Sequence, residues 1–139
     1  MPSELLHRVG DSVDKGSIAA MVNEFRTYQL RTGDLPRYLE AFEEIALPLV
    51  RKHMHLLGFW TSDTGTLNCV HHLWAFEDHL RREERYAALR AEPDYRERFL
   101  PIAAPLIVSM HSRVLQPVAF MKQLPLNGIP GETALAARG

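Results

Sequence analysis

The chain has 139 residues, a single cysteine, a formal net charge of −1 and a hydrophobic fraction of 46%. These values are typical of one globular domain, and they exclude a disulfide framework, a cysteine-based zinc cluster and a charge-based argument for nucleic-acid binding. No apolar run approaches the roughly 18 residues that a membrane-spanning helix needs. We therefore predict no membrane partner, and the balanced charge predicts no nucleic-acid partner.

The two ends of the chain differ from its middle in composition. Residues 1–20 are polar, with scattered glycine and serine and without the continuous apolar stretch of a secretory signal peptide. We predict a flexible N-terminal extension over 1–20. Residues 121–139 contain several prolines and glycines without apolar periodicity, which predicts a C-terminal tail. The working domain is then 21–120.

The working domain begins with a predicted strand and a predicted helix. Met21–Leu30 alternates in polarity and is rich in Val, Phe, Thr and Tyr, which favours a strand. Asp34 is a candidate helix N-cap, and apolar residues recur at 3.6-residue spacing over Leu35–His53, which predicts an amphipathic helix. Pro48 lies inside this helix and removes a backbone hydrogen bond, so we expect a kink or the end of the regular helix there.

The second half of the domain predicts a hairpin, helical turns and a final strand. Turn-forming residues separate the two hairpin strands, and Pro93 ends the helix that Asp78 caps. The predicted elements are strands Leu57–Ser62 and Leu67–Phe76, a helix from Asp78, helical turns over Asp94–Phe99 and a strand over Leu106–Leu115.

The predicted order is βαββαβ, which is the α+β, ferredoxin-like arrangement. In this fold, two helices cover one face of a four-stranded sheet. The other face needs a cover if it is apolar. Two such sheets packed face to face would form a dimeric α+β barrel with a central cavity.

Strand alternation predicts which side chains lie on the open face of the sheet. In the last strand, Leu106, Val108, Met110 and Val114 are apolar and are expected under the helices. The opposite, open face of this strand then consists of Ile107, Ser109, His111 and Arg113. The same reasoning on the first and third strands is less clear, and we take Phe25 as facing the helices. The predicted polar and aromatic open face consists of Glu24, Arg26, Tyr28, Asn68, His72, Trp74, Ser109, His111 and Arg113.

The residues of this predicted face suggest proton-transfer chemistry. His72 and His111 are candidate general acid/base residues, because histidine titrates near neutral pH. The alternative is two hydrogen-bonded histidines inside a polar dimer interior. Glu24 could act as a base, or pair with Arg26. Tyr28 is a candidate hydrogen-bond donor to an oxyanion.

The same face contains candidate substrate-binding residues. Arg26 and Arg113 could hold an anion, because the guanidinium presents a planar fork to a carboxylate. Ser109, Asn68 and Trp74 complete the predicted binding set, although Trp74 is also a candidate for interface packing.

A metal site is not expected. His53 and His55 are two residues apart, so on a helix they point in different directions. A site built from His72, His111 and Glu24 is the remaining option, and we predict neither a metal nor an organic cofactor.

The ordered set of residues in the core resembles the NIPSNAP family of the dimeric α+β barrel superfamily. The resemblance covers about a hundred residues and includes positions in the second predicted helix. It rests on Glu24-Phe25-Arg26-Thr27-Tyr28, Gly58-Phe59-Trp60, Gly65 with Asn68, His72-Leu73-Trp74, Arg81, Arg85 and Asp94.

The resemblance implies the fold and a homodimer more firmly than a reaction. The N-terminal extension does not resemble the targeting segments of mitochondrial members, which favours a bacterial, cytoplasmic protein. We predict a small-molecule enzyme that isomerises, cyclises or dehydrates a polar or carboxylated carbonyl compound, for example in a biosynthetic pathway. The alternatives are a non-catalytic ligand-binding or scaffold dimer and a cofactor-free monooxygenase.

Overall fold

A computed structural model describes residues 21–121 of the chain. The described residues form four strands, with helical segments after the first and the third strand. No helix among them is long and apolar enough to span a bilayer. The strands are β1 (Val22–Leu30), β2 (His55–Thr61), β3 (Cys69–Phe76) and β4 (Ile107–Leu115). The α-helices are α1 (Leu35–Ala41), α2 (Leu47–His53), α3 (His79–Ala91) and α4 (Leu100–Ala103), with π turns at Phe42–Ala46 and Tyr95–Phe99 and 3₁₀ turns at Ala104–Leu106 and Ala119–Met121.

The strands form one antiparallel sheet in the order β2-β3-β1-β4. With helical segments after β1 and after β3, this confirms the predicted α+β, ferredoxin-like βαββαβ fold. The packing of two such sheets into a barrel stays a prediction. The predicted extension (1–20) and the tail beyond residue 121 lie outside the described residues.

A π turn precedes a proline in each of the two helical regions. The backbone N–H of Leu47 donates to the carbonyl of Phe42, and that of Leu100 donates to the carbonyl of Tyr95. A proline ring in a regular helix clashes with the carbonyl four residues before it. The wider turn makes room for that carbonyl, so the helix continues beyond Pro48 to His53. The expected irregularity at Pro48 is therefore confirmed.

The helix caps differ in how they are built. The Asp78 carboxylate accepts a hydrogen bond from the backbone N–H of Arg81 at 2.7 Å, as predicted for an N-cap. Asp34 and Asp94 also precede helical turns, but neither side chain makes a capping hydrogen bond. The first helix therefore begins without the side-chain cap that the sequence suggested.

The hydrophobic core lies between the helices and one face of the sheet. Its two clusters meet around Phe42 and Tyr95, which pack against both. Among the buried members are Leu30, Tyr38, Val70 and Phe99 in the first cluster, and Val22, Val50, Trp74, Phe76 and Leu89 in the second.

The predicted orientation of β1 is wrong. Val22 and Leu30, at the two ends of the strand, are buried in the core. Because side chains alternate along a strand, Glu24, Arg26 and Tyr28 share their face and lie under the helices. Phe25 instead points to the open face.

The predicted orientation of β3 is wrong for the same reason. Val70, Trp74 and Phe76 are members of the core clusters. His72 shares their alternation and is 3% exposed. His72 and Trp74 are therefore covered by the helices and do not belong to the open face.

The orientation of β4 agrees with the sequence for three of its predicted open residues. Ser109, His111 and Arg113 pair with Gln29, Thr27 and Phe25 of β1, so they lie on the open face. A register shift next to the Leu30–Ile107 pair places Ile107 on the covered face instead. Met110 and Val114 pair with Tyr28 and Glu24 on the covered face and are still exposed, so the helices cover β4 incompletely.

Candidate functional site

A cavity of about 240 Å³ lies between the sheet and the helices. Strands β1, β3 and β4 form its floor, and both π turns contribute to its walls through Phe42, Tyr95 and Phe99. Aromatic and aliphatic side chains make up most of the surface. The exposed lining residues Arg90, Ala104 and Met110 indicate where the cavity reaches the protein surface. Interruption of an α-helix by a π turn is frequent beside functional sites.

Arg26 is the polar centre of this cavity. Its Nη1 donates to Glu24 Oε2 at 3.2 Å and to the hydroxyl of Tyr86 at 3.0 Å. The guanidinium lies 5.3 Å from the ring centroid of Tyr28 and 5.5 Å from that of Tyr86. Its Nε is buried without a partner among the described residues. Arg26 is therefore held by cation–π contacts and by one carboxylate, with donor capacity to spare.

Glu24 lies behind Arg26 and is fully buried. Arg82 donates to both of its oxygens, at 2.9 and 3.2 Å, Tyr86 donates at 2.8 Å, and the Ser112 hydroxyl donates as well. Burial alone would raise the pKa of the Glu24 carboxyl, but these hydrogen bonds and the charge of Arg26 hold the pKa below its usual value. Glu24 is thus an ionised, fully occupied acceptor rather than a free base.

The cavity carries surplus positive charge. Two guanidinium groups, of Arg26 and Arg82, bond to the single carboxylate of Glu24. Arg90 also lines the cavity, and no aspartate or glutamate is found among the described lining residues. An anion that enters this space meets uncompensated positive charge in apolar surroundings, where charge interactions are strong.

Four tyrosines surround Arg26 and stay protonated. Burial raises the pKa of Tyr28 to about 12, against the opposing charge of Arg26. Burial also raises the pKa values of Tyr38, Tyr86 and Tyr95. Tyr86 already donates its proton to Glu24, so the neutral hydroxyls of Tyr28, Tyr38 and Tyr95 are the ones that can donate hydrogen bonds to a bound oxygen atom.

His72 is held as a neutral ring. Its Nδ1 lies 2.8 Å from Nε1 of Trp74, which is a donor only, so Nδ1 accepts and the proton sits on Nε2. Burial, followed by the charge of Arg26, lowers the pKa of His72 to about 3. Nε2 is buried without a partner among the described residues. At neutral pH, His72 is a hydrogen-bond donor and not a general base.

The sheet divides the site that the sequence predicts. Ser109, His111 and Arg113 lie on the opposite face from the cavity, so His72 and His111 do not form a pair within one chain. Asn68 lies in the β2–β3 connection with a φ of 61°. Its amide donates to the Thr32 hydroxyl at 3.5 Å, and its carbonyl accepts from the Leu30 N–H.

Several residues of the site were missed by sequence reasoning. Arg82, Tyr86 and Ser112 hold Glu24, and Tyr95 lines the cavity. Arg82 and Tyr86 are four residues apart in α3 and share one side of the helix, which brings both to Glu24. That spacing was the available signal.

A separate polar network lies on the open face around His71. The Thr27 hydroxyl is 2.9 Å from Nδ1 of His71, and the Ser62 hydroxyl is 2.7 Å from its Nε2. Phe25 stacks on the ring at 6.0 Å.

No group of three His, Cys, Asp or Glu side chains in the described part of the chain is placed to hold a metal ion.

Comparisons with known proteins give one family. A sequence model of the NIPSNAP family matches residues 23–122. Human protein NipSnap homolog 3A is 31% identical over 109 residues, which are 76% of this chain and 44% of the relative. The chain thus spans less than half the length of this curated relative.

Solved structures agree on the fold. An uncharacterized NIPSNAP-like domain protein from Burkholderia xenovorans is 34% identical, with a TM-score of 0.71 over 77% of this chain and 93% of that one. A candidate antibiotic biosynthesis monooxygenase from Nitrosomonas europaea aligns with a TM-score of 0.55 over 73% of this chain and 93% of that one. Its sequence identity of 10% shows a shared fold alone.

Proposed function

The chain belongs to the NIPSNAP family, and from this premise we propose that it binds a small organic anion in the cavity between its sheet and helices. The observation that supports the proposal is the position of Arg26. Its guanidinium lies in an aromatic cavity, and the nearby carboxylate of Glu24 is already shared with Arg82. A carboxylate on the ligand would accept the remaining donor capacity of Arg26.

The walls of the cavity limit the rest of the ligand. Aromatic rings and aliphatic side chains surround the polar centre, so the body of the ligand should be apolar. A volume of 240 Å³ equals that of roughly eight waters at about 30 Å³ each. We therefore propose a ligand about as large as one substituted ring with a single negative charge.

Matched ring compounds test this proposal. Isothermal titration calorimetry at pH 7 should show binding of benzoate and at least tenfold weaker binding of benzamide. The amide has the same shape but lacks the charge that Arg26 would neutralise. Benzylamine, a cation, should not bind. Equal binding of benzoate and benzamide would show that charge does not select the ligand, and the proposal would be wrong.

The cofactor-independent proton-transfer reaction is the second candidate function. It is favoured by the donors of Arg26 and Tyr28, which could stabilise an enolate oxygen. The predicted acid/base pair of His72 and His111 is divided by the sheet, so the proton acceptor would have to be another group. Cofactor-free oxygenation remains an alternative, although likeness of fold to a monooxygenase does not transfer an activity.

The predicted homodimer would cover the open face of the sheet. That face carries apolar side chains, including Phe25, Leu73, Leu115 and Trp60, of which Trp60 is 52% exposed. Light scattering on the purified protein should give a mass twice the 15.9 kDa of the chain. Trp60→Glu should lower that mass by placing a charge in the interface. A monomeric wild type would contradict the prediction.

A cytoplasmic location of the protein stays a prediction.

A further inference from the structure

Two hydrogen-bond donors of the cavity lie side by side on the sheet. Arg26 of β1 and His72 of β3 are directly opposite each other in the register. Side chains at such positions share a face, with Cβ atoms roughly 5 Å apart. The guanidinium and the imidazole are therefore neighbours in the cavity wall.

Both side chains have a buried donor without a partner among the described residues: Nε of Arg26 and Nε2 of His72. A buried donor that lacks a partner costs free energy, and an acceptor on a ligand would recover it. Arginine has only donors, and the hydrogen bond from Trp74 leaves His72 with only a donor toward the cavity. The pair is thus suited to two neighbouring acceptor oxygens.

We infer that the cavity selects anions of the 2-oxo acid class, with Arg26 binding the carboxylate and Nε2–H of His72 donating to the adjacent carbonyl oxygen. This inference rests on the proposed binding of an organic anion and adds a specificity-determining residue to it. The carboxylate and the 2-oxo group of such a molecule are on adjacent carbons, as the adjacent donors require.

The ring of His72 is fixed on several sides. Phe59 stacks on it at 5.2 Å, Tyr28 packs edge-on at 4.8 Å, and Trp74 holds Nδ1. Both unpartnered donors are buried, so a ligand that binds them must displace the side chains that cover them. Trp74 is then a positioning residue, because its indole determines which imidazole nitrogen carries the proton.

A matched pair of acids tests the inference. Phenylglyoxylate and phenylacetate differ in a single group, a carbonyl in place of a methylene, and both carry the carboxylate. We expect the wild type to bind phenylglyoxylate about tenfold more tightly, as for one added hydrogen bond. His72→Phe should abolish that preference and change the affinity for phenylacetate by less than about threefold. The control His79→Phe, at an exposed residue of α3 that does not line the cavity, should keep the wild-type ratio.

A spectroscopic measurement keeps the inference testable if His72→Phe does not fold. Long-range ¹H–¹⁵N spectra of the wild type at pH 7 should show His72 as the neutral Nε2–H tautomer. Phenylglyoxylate should shift the Nε2 resonance, and phenylacetate should leave it in place. A proton on Nδ1, or equal shifts with both acids, would overturn the assignment.

The outcomes separate the inference from the proposed function. If both acids bind equally well and benzamide does not, the cavity binds anions and the role of His72 is wrong. If benzoate binds and neither acid does, the inference alone is wrong. If neither the two acids nor benzoate binds, the proposed function fails, and the inference fails with it.

Discussion

Replacement of Arg26 with methionine should weaken the binding of benzoate by roughly 10- to 100-fold. A hydrogen bond to a charged group contributes about 1.5–3 kcal/mol, and this residue supplies the central charge of the cavity. The fold should tolerate the change, because Glu24 keeps its bonds from Arg82, Tyr86 and Ser112. Calorimetric titration of wild type and variant measures the ratio of the two dissociation constants.

The matched control is Arg81→Met on α3. Arg81 is exposed and pairs with Glu84 on the helix surface, away from the residues that line the cavity. The Arg81→Met substitution removes the same charge from the protein as Arg26→Met, so any general electrostatic effect should appear in both variants. Arg81→Met should bind benzoate as the wild type does. If Arg26→Met also retained wild-type affinity in a folded protein, Arg26 would not be the carboxylate-binding residue.

Glu24→Gln should destabilise the protein by about 3 kcal/mol. Removal of one partner from a buried ion pair typically costs about 3–5 kcal/mol, because the opposite charge stays buried. Arg26 and Arg82 would both lose their carboxylate. The partial exposure of Arg82 favours the lower end of that range. Urea denaturation at pH 7, followed by circular dichroism, gives the difference in free energy of unfolding.

The pH dependence of stability adds a second measurement on this variant. The folded state holds the pKa of Glu24 below its ordinary 4.5, so its contribution is present above that pH and is lost as the pH falls. His72 acts in an earlier window: its pKa falls from 6.5 to about 3 on folding, so the unfolded state takes up the proton first below about pH 6.5. Glu24→Gln should lessen the loss below pH 4.5 and keep the loss that begins near pH 6.5.

Glu84→Gln is the control for the buried carboxylate. Glu84 is exposed and pairs with Arg81 in a surface ion pair, which contributes roughly 0–1 kcal/mol. Its replacement should change the free energy of unfolding by less than 1 kcal/mol. Equal destabilisation by Glu24→Gln and Glu84→Gln would show that the network around Glu24 is not what stabilises this part of the fold.

The order of strands and helices could be predicted because its signals are local. The β-branched and aromatic residues of β1, the 3.6-residue spacing before Pro48 and the cap at Asp78 each act within a few residues along the chain. The boundaries were less accurate: β2 begins at His55 rather than at Leu57, and the π turns had no recognised signal. Resemblance to the NIPSNAP family supported the same fold.

The candidate site was predicted only in part because Phe25 was taken to face the helices, which placed its neighbours in β1 on the open face. Glu24, Arg26 and His72 were singled out from the sequence, but they were placed on the open face. Val22 and Leu30 at the ends of β1 required the opposite orientation. The charges are accommodated under the helices because Arg82 and Tyr86 of α3 pair with them.

The local pattern of this chain thus determines a βαββαβ fold and shows which polar side chains lie within its strands. The tertiary structure decides on which side of the sheet those residues lie and which of them meet. Alternation along a strand divides its residues into two sets but does not say which set is buried. That choice depends on partners distant in the sequence, as when α3 brings Arg82 and Tyr86 to Glu24 while His111 stays on the other face.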